Sequence, residues 1–184
     1  DGPEENYDCD GTPLEFQFSQ SSLQANYLFI SVTIDGIAVN ADDWVGAFNG
    51  DICVGAHQWD TSNCGGGICG VAVMGDDGLD VTEGYMLHGG IPTFKIYDAS
   101  ENSYSDAIPS EDIPWSNLGL DLLDTLMGCS DELDECGVCG GDSSSCMGCM
   151  DENACNYDPD ATLSCEDGSG LPECILGCPG LVGG

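Results

Sequence analysis

Nine of the thirteen cysteines fall between Cys129 and Cys178, and only Cys9, Cys53, Cys64 and Cys69 precede them. Such density is sustained in oxidising compartments and seldom in the cytosol, where thiols are kept reduced. The same stretch is rich in Gly, Ser and Asp and poor in large apolar side chains. A segment of that make-up has too little apolar area to fold by burial and must be held by crosslinks. Residues 129–184 are therefore expected to form a small, loop-dominated tail of two short modules, stapled through Cys129, Cys136, Cys139, Cys146, Cys149, Cys155, Cys165, Cys174 and Cys178. Spacing does not determine the connectivity, and the odd total leaves at least one thiol free, modified or bonded to another chain.

The front of the chain has a different character. Between residue 14 and about 128 lie the aromatic and β-branched segments, and here a core can be buried. Leu28, Ile30, Val32 and Ile34 alternate with Phe29, Ser31 and Thr33, the period of two of a strand with one buried face. Further strands are expected at Glu15–Phe18, Trp44–Phe48, Ile52–Ala56, Ile68–Met74 and Thr93–Tyr97, each bounded by Gly, Asp or Asn. Asp35-Gly36 and Asn49-Gly50 have the composition of hairpin turns. From Trp115 to Leu126 the leucines 118, 122, 123 and 126 stand at helical offsets, but Gly119 interrupts them and strand or loop stays open. Short strands at this spacing predict an all-β domain, an antiparallel β-sandwich of jelly-roll or Ig-like type, over 14–128. Residues 1–13 form a polar leader suited to pairing with a neighbouring subunit's sheet edge.

The chain carries 34 acidic residues against one basic residue, Lys95, and a formal charge of −33. That field repels polyanions, so nucleic acid and anionic membrane surfaces are excluded as partners. No run of residues is long and apolar enough for a membrane span, and the start at Asp1 is expected to be a processed end. Crowded carboxylates also recruit cations. Asp151, Asn153, Asn156, Asp158 and Asp160 offer hard oxygen ligands within ten residues, a candidate calcium loop that departs from the EF-hand pattern. The competing reading is an acidic turn whose Asp and Asn side chains bond their own backbone. Asp76, Asp77 and Asp80, and the stretch 131–135, are weaker candidates of the same kind.

Two cysteine motifs carry a family resemblance. Asp134-Glu-Cys-Gly-Val-Cys-Gly-Gly-Asp142, followed by Ser143-Ser-Ser-Cys146, resembles a motif of bacterial secreted proteins, with a like motif in thrombospondin-motif metalloproteinases. Gly148-Cys-Met-Asp-Glu-Asn-Ala-Cys-Asn-Tyr-Asp-Pro-Asp-Ala161 resembles a short repeat near the C-termini of large surface proteins of aquatic Bacteroidetes and their relatives. That repeat usually closes with Asp-Asp-Gly-Ser-Cys, whereas here Cys165 precedes Glu166-Asp167-Gly168-Ser169. The front part is similar to a β-sandwich module of the same proteins through Asp43–Gly55, Gly75–Asp77 and Thr93–Asp98. The resemblance implies export to the cell surface, by the Bacteroidetes type IX route, and a role in adhesion, matrix or appendage building. It carries over no enzymatic residue. Asp124-Thr125-Leu126 resembles the O-glycosylation motif of these bacteria, with Thr125 as acceptor.

The remaining motifs favour structure over chemistry. Cys64 and Cys69 flank Gly65-Gly66-Gly67-Ile68, a loop flexible enough for the two sulfurs to meet, and are the best single disulfide candidate. The pairs Cys136/Cys139 and Cys146/Cys149 have too short a connection for a zinc ribbon and suit a disulfide scaffold. His57 and His88, the only histidines, lie in no nucleophile motif. Trp44, Trp59 and Trp115 are expected mainly in the core, with a sugar-stacking platform as the alternative. Lys95 should face away from Phe94 and Ile96 and pair with a carboxylate. The expectation is a non-enzymatic extracellular subunit that self-assembles into a filament or surface layer, with calcium as a stabiliser. The alternative is a carbohydrate-binding or adhesin module of a larger secreted protein.

Overall fold

The computed structural model describes residues 7–8, 11–131, 139, 147–154, 157–159, 161 and 163–164. The chain divides into two compact units, Asp1–Ser130 and Asp131–Gly184. The first is all-β: β1 (Gln24–Ile34), β2 (Ile37–Ala38), β3 (Trp44–Asn49), β4 (Ile52–Gln58), β5 (Cys69–Met74), β6 (Thr93–Asp98), β7 (Ser103–Pro109) and β8 (Leu120–Gly128). They form one sheet in the order β2-β1-β8-β7-β6-β3-β4, with β5 pairing β1 as well. The sheet is mixed rather than antiparallel as expected: β1 and β8 run parallel, with Asn26 opposite Leu120 and Ile34 opposite Gly128. Parallel pairing needs a long crossover, and here everything from β2 to β7 provides it.

Both expected hairpin turns form, the second shifted by one residue from Asn49-Gly50. Asp35 and Gly36 both have positive φ, 50° and 81°, the pattern of a type I′ hairpin joining β1 to β2. Between β3 and β4 the central residues are Gly50 and Asp51, with Gly50 at φ 60°. Beyond that turn Ala47 faces Gly55 while Phe48 faces Cys53, so Val54 is an extra, bulged residue on β4.

Strand β1 was expected to bury the Leu28 and Ile30 face, and it does the opposite. Ala25, Tyr27 and Phe29 are buried, Leu28 is half-buried and Ile30 is exposed. Both faces of this strand are apolar, so alternation alone is ambiguous. The two rings bury more area than Leu28 and Ile30 would, and they pack edge-on against Phe94 from β6 at 5.8 and 5.3 Å. Past Ile30 the buried side changes parity to Val32, and on β8 it changes from Leu123 to Leu126. The free edge of β1 changes partner at the same place, from β5 to β2.

One other expectation is corrected, and one that stayed open is decided. Glu15–Phe18 is not a strand: Leu14–Phe16 is a single 3-10 turn, closed by Phe16 N–H donating to the Pro13 carbonyl at 2.9 Å. The leucine run after Trp115 is a strand, β8, because its partners β1 and β7 supply the hydrogen bonds on both sides. Strand β7 carried no strong apolar alternation and was missed.

The main core lies on one side of the sheet and gathers Tyr27, Phe29, Val45, Val54, Trp59, Val71, Phe94, Ile96, Trp115 and Leu126. Trp115 donates its indole N–H to the Val73 carbonyl at 3.0 Å, and Trp59 sits near Phe29; both tryptophans are buried, which removes them from any sugar platform. On the other side of β3 and β6 the N-terminal segment makes a second cluster, in which Phe16, Phe48, Cys53 and Tyr97 are buried and Tyr7 and Tyr104 pack beside them. Tyr7, within the expected leader, stands edge-on to Tyr97 of its own chain at 5.5 Å. Lys95, on the face opposite Phe94 and Ile96, meets the Glu15 carboxylate at 3.6 Å and lies over the Phe48 ring.

In the second unit the described strands are short. Met147–Gly148 (β9) pairs in parallel with Leu163–Ser164 (β10), and Cys149 bridges to Tyr157. Where β4 meets β5 in the first unit, Gly55 is packed so closely that a Cβ there would stand 2.1 Å from the Ala72 carbonyl oxygen. Gly55→Ala must push the two strands apart, a cost of about 1–3 kcal/mol or more. A thermal unfolding midpoint that is unchanged in this variant would refute the close packing of β4 on β5.

Candidate functional site

Acidic side chains do most of the local shaping. The buried Asp43 accepts the Asn40 N–H through Oδ2 at 2.6 Å and the Ala99 N–H through Oδ1 at 2.9 Å, tying the approach to β3 to the β6–β7 loop. Asp98 accepts the Ser100 N–H and hydroxyl at 2.8 and 2.7 Å and the Glu101 N–H at 3.1 Å. Burial opposes ionisation of Asp98, yet these bonds hold its carboxyl below the usual range. Between Ile34, Ile37, Ala38 and Val39 on one side and Asp43, Asp98 and Ser100 on the other runs a shallow cleft of ≈ 240 Å³. That is below the size of ordinary small-molecule sites.

Of the weaker acidic candidates, Asp77 is the most heavily bonded. It accepts the Ser22 N–H and hydroxyl at 3.0 and 2.9 Å and the Thr82 hydroxyl at 2.7 Å. The Ser22 N–H foremost, then the two hydroxyls, hold its carboxyl far below the ordinary range. It works as a tether between the segment before β1 and the 79–82 turn, and its oxygens are occupied by protein donors.

The Asp151 loop shows the same habit. Asp151 Oδ1 accepts the Asn153 N–H at 2.9 Å and the Asn153 amide at 3.1 Å, and the Asp158 N–H donates to the Cys149 carbonyl at 2.9 Å. Asp151 thus bonds its own turn, as Asp side chains in turns commonly do. Asn156 and Asp160 lie outside the described residues, as do Cys136, Cys146, Cys155, Cys165, Cys174 and Cys178.

Cys64 and Cys69 are joined in a disulfide with their Cα atoms 5.1 Å apart. Gly66 and Gly67, at φ 68° and 78°, let the loop close that tightly. Cys129, Cys139 and Cys149 are likewise disulfide-bonded. Cys53 is a free thiol buried in the second cluster, and burial pushes it up to about 11, which keeps it protonated and inert. His57, exposed at the end of β4, stands beside Trp59 and near Cys64; His88 is exposed in a turn. Thr125 is half-buried in β8 opposite Ser31, and its backbone bonds to Ser110.

The feature that sequence reasoning missed is on the outer face of the β1–β8 pair. Leu120 and Leu122 point away from the core and are 74% and 59% exposed, Ile30 beside them is 54% exposed, and Leu118 in the preceding turn is 81% exposed. Leu28 lies opposite Leu122 on the same face. Leu118 also holds a φ of 65°, an unusual state for a branched apolar residue. The signal is the alternation of leucines 118, 120 and 122, which the helical offsets of 118, 122, 123 and 126 obscure. Among the described residues, no helix is long and apolar enough to cross a membrane.

No protein-family model matches the chain, and neither a curated protein nor a solved structure matches it.

The Asp77 tether has a definite pH signature. Its folded carboxyl titrates below the ordinary value of 3.8, so its contribution is fully present above that value and is lost as acid protonates the folded state. Asp77→Asn should therefore unfold at a lower temperature than the parent near neutrality, and the gap should close well below pH 3.8. A gap that persists in strong acid would show that the carboxylate charge is not what holds the tether.

Proposed function

We propose that the chain is a non-enzymatic, extracellular structural subunit that assembles with copies of itself into a filament or surface layer. The observation that carries this reading is the apolar outer face of Leu28, Ile30, Leu120 and Leu122, extended by Leu118. The solvent side of a sheet is ordinarily polar, and contiguous apolar patches usually mark contact surfaces. The disulfides and the resemblance to bacterial surface proteins support an oxidising, exterior setting.

A second copy is the favoured occupant because the face is flat strand and the partner needs the same apolar character. Net charge sets the condition. Copies each bearing −33 repel one another, and at physiological salt that repulsion is screened only beyond a Debye length of about 8 Å, so it acts at close approach. Calcium enters here as a counter-ion and as the proposed ligand of the 151–160 loop. The carbohydrate-binding alternative rests on the small cleft beside Asp43 and Asp98 and on the half-buried Trp44, since Trp59 and Trp115 are taken up in the core.

Electron microscopy of the purified chain should show elongated or layered particles in calcium or moderate salt, and dispersal on chelation at low ionic strength. Leu122→Ser should abolish the particles while leaving the thermal midpoint within about 1 °C, because an exposed surface change costs little. Monomers under every condition, or assemblies untouched by Leu122→Ser, would overturn the reading. A specific glycan captured by the monomer would favour the alternative.

A further inference from the structure

The disulfide loop is more than a staple, because His57 completes a set of ligand atoms around it. His57 Nε2 lies 3.9 Å from Cys64 Sγ, and one donor atom from each of His57, Cys64 and Cys69 falls within 4.8 Å of the others. The three residues come from three places: His57 from the end of β4, Cys64 from the loop, and Cys69 from the first position of β5. His57 is exposed, Cys64 half-buried and Cys69 buried, so a bound ion would be reached from the solvent side.

We propose that reduction of the Cys64–Cys69 disulfide creates a Cys2His site for zinc, or a like soft divalent ion, with the fourth position open to water. Tetrahedral zinc with Zn–S near 2.3 Å and Zn–N near 2.0–2.1 Å places sulfur roughly 3.5 Å from the imidazole nitrogen and the two sulfurs roughly 3.8 Å apart. The spacing from His57 Nε2 to Cys64 Sγ, 3.9 Å, is already within a few tenths of that. The sulfurs must separate, and Gly65-Gly66-Gly67 is the part of the loop free to move for it.

The chemistry balances with a dithiol reductant. The dithiol is oxidised to its own disulfide, the S–S bond between Cys64 and Cys69 breaks, and each sulfur takes one proton. Zinc then displaces those two protons to solvent and binds two thiolates and the neutral imidazole. The two thiolate charges cancel that of the ion, so the site closes neutral in a strongly acidic chain. Because His57 belongs to β4 and Cys69 to β5, the metal form ties together the two strands that Gly55 holds in close contact. The clip is covalent within the loop when oxidised and spans two strands when reduced.

The test is alkylation of the full chain after reduction under native conditions, with and without added zinc, mapped cysteine by cysteine by mass spectrometry so that the tail thiols are scored separately. Zinc should slow alkylation of Cys64 by about tenfold or more in the parent, as loss of a metal's supporting groups costs on that order. In His57→Ala the slowing should fall below about twofold, and His57→Asp, which returns a ligand oxygen, should recover part of it. His57 is exposed, so both variants should keep the fold, checked by their thermal midpoint in the oxidised state. Equal alkylation rates with and without zinc in the parent would overturn the site, as would full protection in His57→Ala.

Discussion

The packing of Tyr27 and Phe29 against Phe94 decides which way β1 faces, and much of the first unit follows from it. Strand β1 pairs with β2, β5 and β8, so its orientation is passed to three neighbours. Once the rings point inward, Leu28 and Ile30 point outward, and the parallel register gives Leu120 and Leu122 of β8 the same direction. The apolar outer face is thus the other side of a choice made in the core. A side chain of that size contributes about 1.5–3 kcal/mol when fully buried, and the larger rings occupy the places where that gain is available.

The acidic surplus is used more locally than its size implies. Asp43, Asp60, Asp77, Asp98 and Asp151 each accept backbone N–H groups at a turn or between two segments. A chain with one Lys and no Arg has almost no ion pairs to make, and Lys95 with Glu15 is the salt bridge among the described residues. These bonds keep the loops between short strands in place.

Structure and charge pull the proposed assembly in opposite directions. The outer face favours contact between copies, and the net charge disfavours it until salt or divalent ions screen it. The proposed assembly would gain order only where counter-ions are plentiful. The individual unit is organised by its buried core, so folding and the proposed assembly rest on different interactions.

Much was legible in the sequence because it depends on neighbours along the chain. The turn at Asp35-Gly36, the strands β3 to β6 and the Cys64–Cys69 closure follow from local backbone freedom and from alternation over a few residues. The parallel pairing of β1 with β8, the strand nature of 120–128 and the nearness of His57 to Cys64 and Cys69 do not, since each joins residues whose meeting depends on how the whole sheet curls. The sequence by itself determined an all-β, crosslinked, strongly acidic protein, because composition and turn chemistry act residue by residue. Only the tertiary structure decided which face of β1 is buried, for two apolar faces are equivalent until a third strand offers its ring to one of them.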